Sequence, residues 1–521
     1  MNRPVTLTLR LSLALAILAA APAPAQDAPA PALEPETFAP VVAQSQARIG
    51  GRALDYTVTV ESKPIRNDDG EPRGEMFSIA YTLAGDIDPA QRPITFVFNG
   101  GPGSSSVWLH MGSLGPRRVV MSAEGETLPP PGAIQDNPHS WLDLTDLVFI
   151  DPVGTGFSRP AEGVEQSEFS GVRQDAESIA EFIRLYLTRH DRWLSPKFLA
   201  GESYGTTRAA ALSGVLLDQH NITLNGVFLI SPILDFATAR FEPGNNLPYV
   251  LFLPTYAATA WFHERLSPDL LRRDLDDLLA EVRQWARTDY LLALAQGSQL
   301  SESESRRVAE RLARYTGLDA SYVERANLRI HIQRFAKELL RDQRRTVGRL
   351  DSRYAGVDRD AAGERPDRDP SFSAILGPYT AAIQDYMGRE LGVDTDERYH
   401  ILNWRIGPWE WNYAGGDNSY VNVAETLRAT LTRNPHMLVH LTMGYYDLAT
   451  PFFAAEHTVD QMLLEPELRD NVMFDYYRSG HMMYVRDEDN AKLKADVARV
   501  FDRARRQRGP VPAISTEALN R

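Results

Sequence analysis

The run Phe198-Leu-Ala-Gly-Glu-Ser-Tyr-Gly205 decides the fold of this 521-residue chain. It joins a short apolar run, typical of a strand, to a helical pattern, and it contains the motif Gly-x-Ser-x-Gly. The backbone of such a turn is sharply bent, so small residues flank the serine, whose hydroxyl then projects from the sheet at the helix N-terminus. Ser203 is therefore a candidate nucleophile. A strand-to-helix turn without chemistry is the alternative, because the motif alone is common.

Strand and helix patterns alternate on both sides of this turn. Compact apolar runs, typical of buried parallel strands, occur at 94–98, 147–150, 198–200 and 227–230. Helical patterns lie between them, most clearly at 172–187 and 209–217. Two earlier β-rich runs, 56–60 and 76–83, flank a turn and predict antiparallel strands at a sheet edge. The sequence therefore predicts an α/β fold whose central sheet is mostly parallel and flanked by helices.

A long helical segment interrupts the strands. Charged helical patterns replace the strand signal from about 235 to 408, most clearly at 268–287, 301–315 and 330–344. Strand runs return at 437–443 and 472–477, and a last helix is predicted over 487–503. The predicted organisation is a core in two parts (41–234 and 409–506), an inserted helical cap (235–408) and a polar C-terminal tail (507–521).

The N-terminus has the order of features of a secretory signal. Arg3 and Arg10 precede an apolar run over 11–21, and the small residues Ala23-Pro-Ala25 follow it. We expect a signal peptide over 1–25, a disordered Ala- and Pro-rich leader over 26–40, and export to the periplasm or the cell exterior. An uncleaved membrane anchor is the alternative, although the apolar run is shorter than the roughly 20 residues that span a bilayer, and no integral membrane span is expected.

Composition excludes several functional classes. The chain has no cysteine, which excludes disulfides, cysteine catalysis and thiolate metal sites. Its net charge of −14, without a basic cluster, argues against a nucleic-acid partner or an anionic membrane surface. The sequence leaves the oligomeric state open.

A nucleophilic serine needs an imidazole base and a carboxylate that fixes the tautomer of that base. In the α/β-hydrolase fold these partners follow the serine in the order acid, then histidine. Asp447 follows the strand run 437–443, and His481 follows the run 472–477 behind a small Ser-Gly pair. Each alone is typical of a structural residue, but their order and placement make Asp447 and His481 the predicted triad partners of Ser203.

A glycine-rich loop, Asn99-Gly-Gly-Pro-Gly103, directly follows the strand run 94–98. Acyl transfer needs N–H donors aimed at the developing oxyanion, and hydrolases of this type take one donor from this loop. We assign the oxyanion hole to the backbone amides of Gly101 and Tyr204. A phosphate cradle is the alternative for such a loop, but the loop lacks the Lys-Ser/Thr ending of a P-loop and the spacing of a dinucleotide fingerprint.

One histidine pair has the spacing of a metal site. His436 and His440 are separated by four residues, as zinc ligands on a helix are. They lie in a predicted strand, where that spacing is about 13 Å, and no glutamate follows the first histidine. We therefore expect no metal site and no cofactor.

The sequence resembles the serine carboxypeptidase family in four blocks that occur in the family's order. The blocks are Asn99-Gly-Gly-Pro-Gly-Ser-Ser-Ser106, Asp151-Pro-Val-Gly-Thr-Gly-Phe-Ser158, Gly201-Glu-Ser-Tyr-Gly205 and Ser479-Gly-His-Met482, with Asp447 between the last two. The resemblance implies removal of single residues from peptide C-termini through an acyl-enzyme, without metal or cofactor. It also implies that Asn99 and Glu202 bind the terminal carboxylate of the substrate.

The implied role of Glu202 sets a requirement on its charge. A carboxyl group binds a carboxylate only when it carries a proton, and burial would raise the pKa of Glu202 toward that state. We therefore expect activity that is favoured at acidic pH. A glutamate that merely caps the following helix is the alternative.

The sequence departs from the family pattern at two positions. The family usually has a further glutamate near Ser113, and a cysteine is common where Ser104 stands. Loss of that glutamate weakens the predicted carboxylate recognition, and Arg208, just after the elbow, offers an alternative anion contact. A solvated helical arginine is the other interpretation of Arg208. Without cysteines the disulfide bracing usual in the cap is missing, so no cap geometry is inferred.

Three functional hypotheses follow. The first is an exported serine-type carboxypeptidase acting on peptides with a free C-terminus, in which Ser203 attacks, His481 transfers the proton and Asp447 orients His481. The second keeps the fold but changes the reaction to ester hydrolysis, aminopeptidase action or acyl transfer. The third is a non-catalytic binding protein on the same scaffold.

Overall fold

The computed structural model describes residues 39–67, 69–413 and 419–508. The predicted signal peptide, positions 26–38 of the predicted leader and the tail from 509 onward lie outside the described residues. Within the described ranges, every helix is too short or too polar to cross a membrane.

One large sheet forms the centre of the fold. The strands are β1 (Val41–Ile49), β2 (Arg52–Arg66), β3 (Pro72–Leu83), β4 (Ile94–Phe98), β5 (Arg117–Val119), β6 (Ile134–Asp136), β7 (Asp146–Ile150), β8 (Arg159–Pro160), β9 (Lys197–Glu202), β10 (Gly226–Ile230), β11 (Arg345–Val347), β12 (Ala355–Val357), β13 (Leu438–Gly444) and β14 (Val472–Tyr477). The strand order of the sheet is β1-β2-β3-β7-β4-β9-β10-β13-β14, with β8 paired to β3. The six strands β7, β4, β9, β10, β13 and β14 are paired in this order, each parallel to its neighbour. Strands β1, β2 and β3 extend the sheet beyond β7 in antiparallel pairs. The predicted mostly parallel sheet and its antiparallel edge are both confirmed.

The central strands are buried on both faces, which explains their unbroken apolar runs. Every residue of β4, β9 and β10 is buried. Successive side chains enter opposite cores, with Phe96 in one core and Val97 in the other. Phe198 of β9 packs against Phe501, with ring centroids 4.6 Å apart. Each such phenylalanine contributes about 1.5–3 kcal/mol by full burial, so the parallel strands fix the sheet firmly in place.

Helices cover both faces of the sheet. In chain order they are α1 (Val107–Leu109), α2 (Val172–Arg189), α3 (Tyr204–His220), α4 (Leu247–Phe262), α5 (Pro268–Leu271), α6 (Leu275–Trp285), α7 (Leu291–Gln296), α8 (Glu302–Thr316), α9 (Ala320–Arg325), α10 (Ile332–Glu338), α11 (Pro370–Asp385), α12 (Ala424–Arg433), α13 (Phe452–Gln461), α14 (Pro466–Arg469) and α15 (Asp487–Arg508). Helices α2 and α3 pack against each other beside β9, and Phe501 of α15 lies on the opposite face of that strand.

The segment between β10 and β13 is mostly helical. The predicted helix over 301–315 is confirmed by α8, whereas the other two predicted helices are shorter than the sequence patterns indicated. The predicted helix over 268–287 is divided into α5 and α6, because the Asp274 side chain accepts a hydrogen bond from Asp276 N–H and starts a new helix there. The predicted helix over 330–344 ends with α10, and Arg344 has a left-handed φ of 55° immediately before β11. The apolar helix α4 is mostly buried and packs against α6, α8 and α13.

The parallel strands bring the predicted site segments to one edge of the sheet. Asn99 follows β4, Ser203 follows β9, Asp447 lies three residues after β13, and His481 lies four residues after β14. Parallel strands have their carboxyl ends at the same edge, where α/β proteins place their ligands.

Candidate active site

Ser203 joins β9 directly to α3 in a strained conformation. Its backbone has φ 60° and ψ −128°, and such a conformation costs a non-glycine residue about 1–3 kcal/mol. A Cβ on Gly201 would lie 2.2 Å from the Gly205 carbonyl oxygen, and a Cβ on Gly205 would lie 3.0 Å from the Phe98 carbonyl oxygen. The two glycines of the motif are therefore required by backbone packing, and that packing keeps the Ser203 turn in its strained form.

The glycine-rich loop lies directly over this turn. A Cβ on Gly100 would lie 2.5 Å from the Tyr204 nitrogen and 2.7 Å from the Glu202 carbonyl oxygen, so only glycine fits. Tyr204 is the first residue of α3, and its N–H therefore has no acceptor within the helix. In the described chain, the N–H groups of Gly101 and Tyr204 donate to no other group. Both predicted oxyanion donors are thus available for a ligand.

Asp447 is fully buried and has a fixed orientation. Its Oδ1 accepts hydrogen bonds from the N–H groups of Ala449, at 2.7 Å, and Thr450, at 3.0 Å. Its Oδ2 accepts from the Thr450 hydroxyl and from Nδ1 of His481, each at 2.7 Å. An ionised carboxylate only accepts hydrogen bonds, so Nδ1 of His481 carries the proton and Nε2 is left as the base.

His481 is buried and is anchored through its backbone. Its N–H donates to the Leu350 carbonyl at 2.6 Å, and its carbonyl accepts from the Ser231 hydroxyl at 2.6 Å. Burial tends to lower the pKa of the imidazole, but the charge and hydrogen bond of Asp447, together with the charge of Glu202, raise that pKa above its ordinary value. A protonated imidazole is therefore stabilised at this position.

Ser203, His481 and the glycine-rich loop line one cavity of about 370 Å³. The apolar side chains of its wall are Trp108, Leu350, Phe372, Ile375, Leu402, Trp404 and Met482. The structure describes no hydrogen bond between the Ser203 hydroxyl and His481. Such bonds are often long in free enzymes and shorten when substrate binds. The cavity volume of about 370 Å³ is within the range of small-molecule binding sites.

Glu202 lies beside the nucleophile and has lost nearly all contact with solvent. Asn99 donates a hydrogen bond from Nδ2 to Oε2 of Glu202, and the Tyr484 hydroxyl lies 2.9 Å from both carboxyl oxygens. Burial raises the pKa of Glu202 to about 7, although His481, Tyr484 and Asn99 each act to lower it. Both Asn99 and Glu202 line the same cavity as Ser203. The two predicted carboxylate-binding residues are thus brought together, and the carboxyl group of Glu202 keeps its proton below about pH 7.

Tyr484 is a site residue that the sequence analysis missed. It is fully buried, and a Cβ on Gly112 would lie 2.5 Å from its ring, so its hydroxyl cannot easily turn away from Glu202. Its position three residues after His481 was the only available signal, and no motif marks it.

Ser113 and Ser104 mark the departures from the family pattern. The buried Ser113 hydroxyl donates to Oδ1 of Asn490 at 2.7 Å rather than to Glu202. Ser104 accepts a hydrogen bond from Nε1 of Trp108 at 2.7 Å and lines the cavity.

Neither sequence interpretation of Arg208 agrees with the structure. Arg208 is completely buried, so it is not a solvated helical residue, and it does not line the active-site cavity. Its Nε donates to Oδ2 of Asp175 at 2.8 Å, and its Nη1 donates to the Asn99 carbonyl. The guanidinium also lies 5.2 Å from the ring centroid of Tyr204. Arg208 therefore ties the glycine-rich loop to α2 and α3 from beneath.

The Arg208→Met variant is expected to lose about 3–5 kcal/mol of unfolding free energy, because it leaves the buried Asp175 carboxylate without a counter-ion. Urea unfolding followed by tryptophan fluorescence measures this loss. The Arg208→Met/Asp175→Asn double variant removes the orphaned charge and should recover much of the stability. Equal losses in the single and double variants would contradict the ion-pair explanation.

Known proteins resemble this chain in sequence and in fold. A family model described as serine carboxypeptidase matches residues 72–327. Serine carboxypeptidase-like 2 of Arabidopsis thaliana is 28% identical over 177 residues, which cover 32% of this chain and 38% of that protein. Serine carboxypeptidase ctsa-3.2 of Caenorhabditis elegans is 28% identical over 196 residues, covering 36% of this chain and 34% of that protein. The matched stretches thus span well under half the length of these curated relatives.

A solved structure extends the similarity to most of the chain. The crystal structure of Kex1(delta)p, a prohormone-processing carboxypeptidase from Saccharomyces cerevisiae, matches with a TM-score of 0.53 and 16% identity. The match covers 86% of this chain and 91% of that one, and at this identity it is evidence of the fold. The predicted α/β-hydrolase fold is confirmed. The family match and the shared fold confirm that this chain is related to the serine carboxypeptidases, the family that its sequence blocks resemble.

Proposed function

We propose that this chain is a serine-type carboxypeptidase that removes residues from the free C-termini of peptides. The observation that carries the proposal is the buried Glu202–Asn99 pair, which lines the same cavity as Ser203. A carboxyl group near neutral charge, hydrogen-bonded to an amide, is suited to bind a carboxylate. A general esterase or lipase has no need of such a pair beside its nucleophile.

In the proposed reaction, Ser203 Oγ attacks the carbonyl carbon of the last peptide bond while Nε2 of His481 takes its proton. The N–H groups of Gly101 and Tyr204 donate hydrogen bonds to the resulting oxyanion. His481 then gives the proton to the leaving amine, the C–N bond breaks, and the acyl group remains on Ser203. Water, deprotonated by His481, then attacks this ester; the acyl group leaves as a carboxylic acid, and His481 returns the proton to Ser203 Oγ. Asp447 keeps the imidazole in the required tautomer throughout.

Export and the cap belong to the same proposal. We propose that residues 1–25 are a cleaved signal peptide that directs the enzyme to the periplasm or the cell exterior. We also propose that 235–408 acts as a cap domain, because Arg349, Leu350, Phe372 and Trp404 from this segment line the cavity. Side-chain preference for the substrate would then depend on the cap.

The proposed reaction is tested with an N-acetylated peptide of mixed sequence, prepared with a free C-terminus and, as a matched control, with a C-terminal amide. Mass spectrometry is expected to show stepwise loss of single C-terminal residues from the free acid, while the amide stays intact. Loss of N-terminal residues from an unblocked peptide, or turnover of simple esters alone, would favour the alternative hydrolase activities. No turnover, combined with no reaction of Ser203 with a fluorophosphonate, would favour a binding protein.

The Glu202→Gln variant is expected to change the pH dependence of kcat/KM. Glu202 has a pKa of about 7, so its carboxyl group loses its proton as pH rises through that value. The ionised group then repels the substrate carboxylate and no longer binds it. The raised pKa of His481 acts in the opposite sense, because the base is protonated and inactive at lower pH. In the wild type, kcat/KM for free-acid peptides should therefore fall above about pH 7.

A glutamine at position 202 keeps a neutral N–H donor at every pH. Its profile should lose the alkaline fall, so that the ratio of variant to wild-type kcat/KM increases by roughly tenfold per pH unit above about 7. Profiles measured from about pH 4 to pH 9 provide the test. A wild-type profile that rises steadily to the alkaline end would exclude this role of Glu202.

A further inference from the structure

The active-site cavity contains one cation without an ion pair. Arg349 lines the cavity wall and is exposed to solvent. Among the described residues, no carboxylate lies within ion-pair distance of its guanidinium, whereas the nearby Arg353 is paired with Asp351 at 2.6 Å. An arginine that is free at the wall of a substrate cavity is available to a group on the substrate.

The backbone of Arg349 is fixed on two sides. Its N–H donates to Oδ1 of Asp369 at 3.1 Å, and its carbonyl accepts from the N–H of Leu448 at 3.1 Å. The next residue, Leu350, accepts the N–H of His481 at 2.6 Å. Arg349 is thereby attached to the loop that follows Asp447 and to the backbone of the catalytic histidine. Its charge is close enough to His481 to act on the pKa of that imidazole in the lowering direction.

This attachment defines the side of the cavity to which Arg349 belongs. The general acid must reach the leaving nitrogen, so the leaving residue of the substrate lies on the His481 side of Ser203. Arg349 is therefore beside the residue that is released, not beside the residue that stays on the enzyme.

The other charged side chains of the cavity wall already have partners or assigned roles. Arg349 is therefore free to bind an anionic group of the substrate. Oδ1 of Asp369 accepts from the Ser371 hydroxyl at 2.6 Å, from Ser371 N–H at 3.0 Å and from Arg349 N–H, so this carboxylate caps α11. Glu202 and Asn99 are already assigned to the terminal carboxylate. No other described side chain of the cavity carries a permanent positive charge.

We propose that Arg349 is a specificity-determining residue that favours an acidic side chain, aspartate or glutamate, on the C-terminal residue that the enzyme releases. This proposal rests on the proposed carboxypeptidase function and names the substrate class for the same site. Partial desolvation by the bound peptide would strengthen the guanidinium–carboxylate contact relative to an exposed pair.

The test compares N-blocked dipeptides with one common first residue and with Glu, Gln, Leu or Lys as the free C-terminal residue. For the wild type, kcat/KM for Glu should exceed that for the isosteric Gln by roughly five- to tenfold. The Arg349→Gln variant should lose this ratio while keeping its activity on the Leu substrate. The Arg349→Glu variant should prefer Lys over Glu. Arg405→Gln, which removes an equal charge from a neighbour of Trp404 outside the cavity wall, should keep the wild-type ratio.

Three results would overturn the proposal. A fall of kcat/KM by the same factor for all four dipeptides in Arg349→Gln, with the pH dependence of kcat unchanged, would mean that the arginine binds the terminal carboxylate itself. A wild-type preference for Lys that disappears in Asp369→Asn would assign the charge selection to the carboxylate. An unchanged Glu-to-Gln ratio in Arg349→Gln would remove any role in selection. Hydrolysis of the Leu substrate establishes the carboxypeptidase activity separately from these ratios, and its absence would overturn both proposals.

Discussion

Replacement of Ser203 by alanine is expected to lower kcat for an N-blocked peptide by about 10⁵–10⁶-fold. The change removes only the Oγ proposed to form the acyl-enzyme, while the proposed oxyanion donors and His481 should keep their positions. The residual rate then reflects binding and the oxyanion hole alone. Amino-acid release followed by a coupled assay or by mass spectrometry covers this range when the wild type is measured at low enzyme concentration.

The control for this variant is Ser104→Ala. Ser104 lines the same cavity, and its hydroxyl bonds Trp108 rather than a reacting atom, so its removal should change kcat by less than about tenfold. A fluorophosphonate should label the wild type and Ser104→Ala but not Ser203→Ala. Activity retained in Ser203→Ala, or labelling at another serine, would show that the elbow does not supply the nucleophile.

Replacement of Asp447 by asparagine is expected to lower kcat by about 10⁴-fold while the fold is kept. In the wild type, Oδ2 of Asp447 accepts hydrogen bonds from the Thr450 hydroxyl and from Nδ1 of His481. An amide nitrogen at that position would face the Nδ1 proton, so the imidazole would take the other tautomer. His481 would then present a protonated Nε2 to Ser203 and could not accept its proton.

The chain provides a matched control for this variant in a second histidine–carboxylate pair. Nε2 of the buried His440 lies 2.7 Å from Oδ2 of Asp475, outside the active-site cavity. Asp475→Asn should leave kcat within about twofold, because no reacting group contacts this pair. Equal losses in Asp447→Asn and Asp475→Asn would indicate a general structural effect and contradict the assigned role of Asp447.

Local sequence carried much of the fold because the informative segments are short and strongly constrained. The parallel strands are buried on both faces, so they occur as unbroken apolar runs, and β4 was located to the residue. The elbow was recognisable because its two glycines flank the serine at a fixed spacing, and Gly201 is required by its close contact with the Gly205 carbonyl. The strand β1 was missed because most of its residues are exposed, which leaves little hydrophobic pattern.

The parts of the site that sequence could not give depend on distant packing. Arg208 bonds Asp175 and Asn99, which lie 33 and 109 residues away, so its burial has no local signal. Tyr484 reaches Glu202 across 282 residues. Two helices of the inserted segment were predicted too long, because capping by Asp274 and the left-handed turn at Arg344 interrupt patterns whose charges still favour helix.

The central claim is that a neutral Glu202, hydrogen-bonded to Asn99, binds the free C-terminal carboxylate of the peptide beside Ser203. The most direct test is kcat/KM for one N-blocked dipeptide as the free acid and as the amide, measured with the same wild-type preparation at about pH 5.5. The free acid should be hydrolysed at least about a hundredfold more efficiently. A C-terminal amide on the substrate would leave the buried Glu202 carboxyl and the Asn99 side chain without a carboxylate to bind. Equal kcat/KM values for the acid and the amide would contradict the claim.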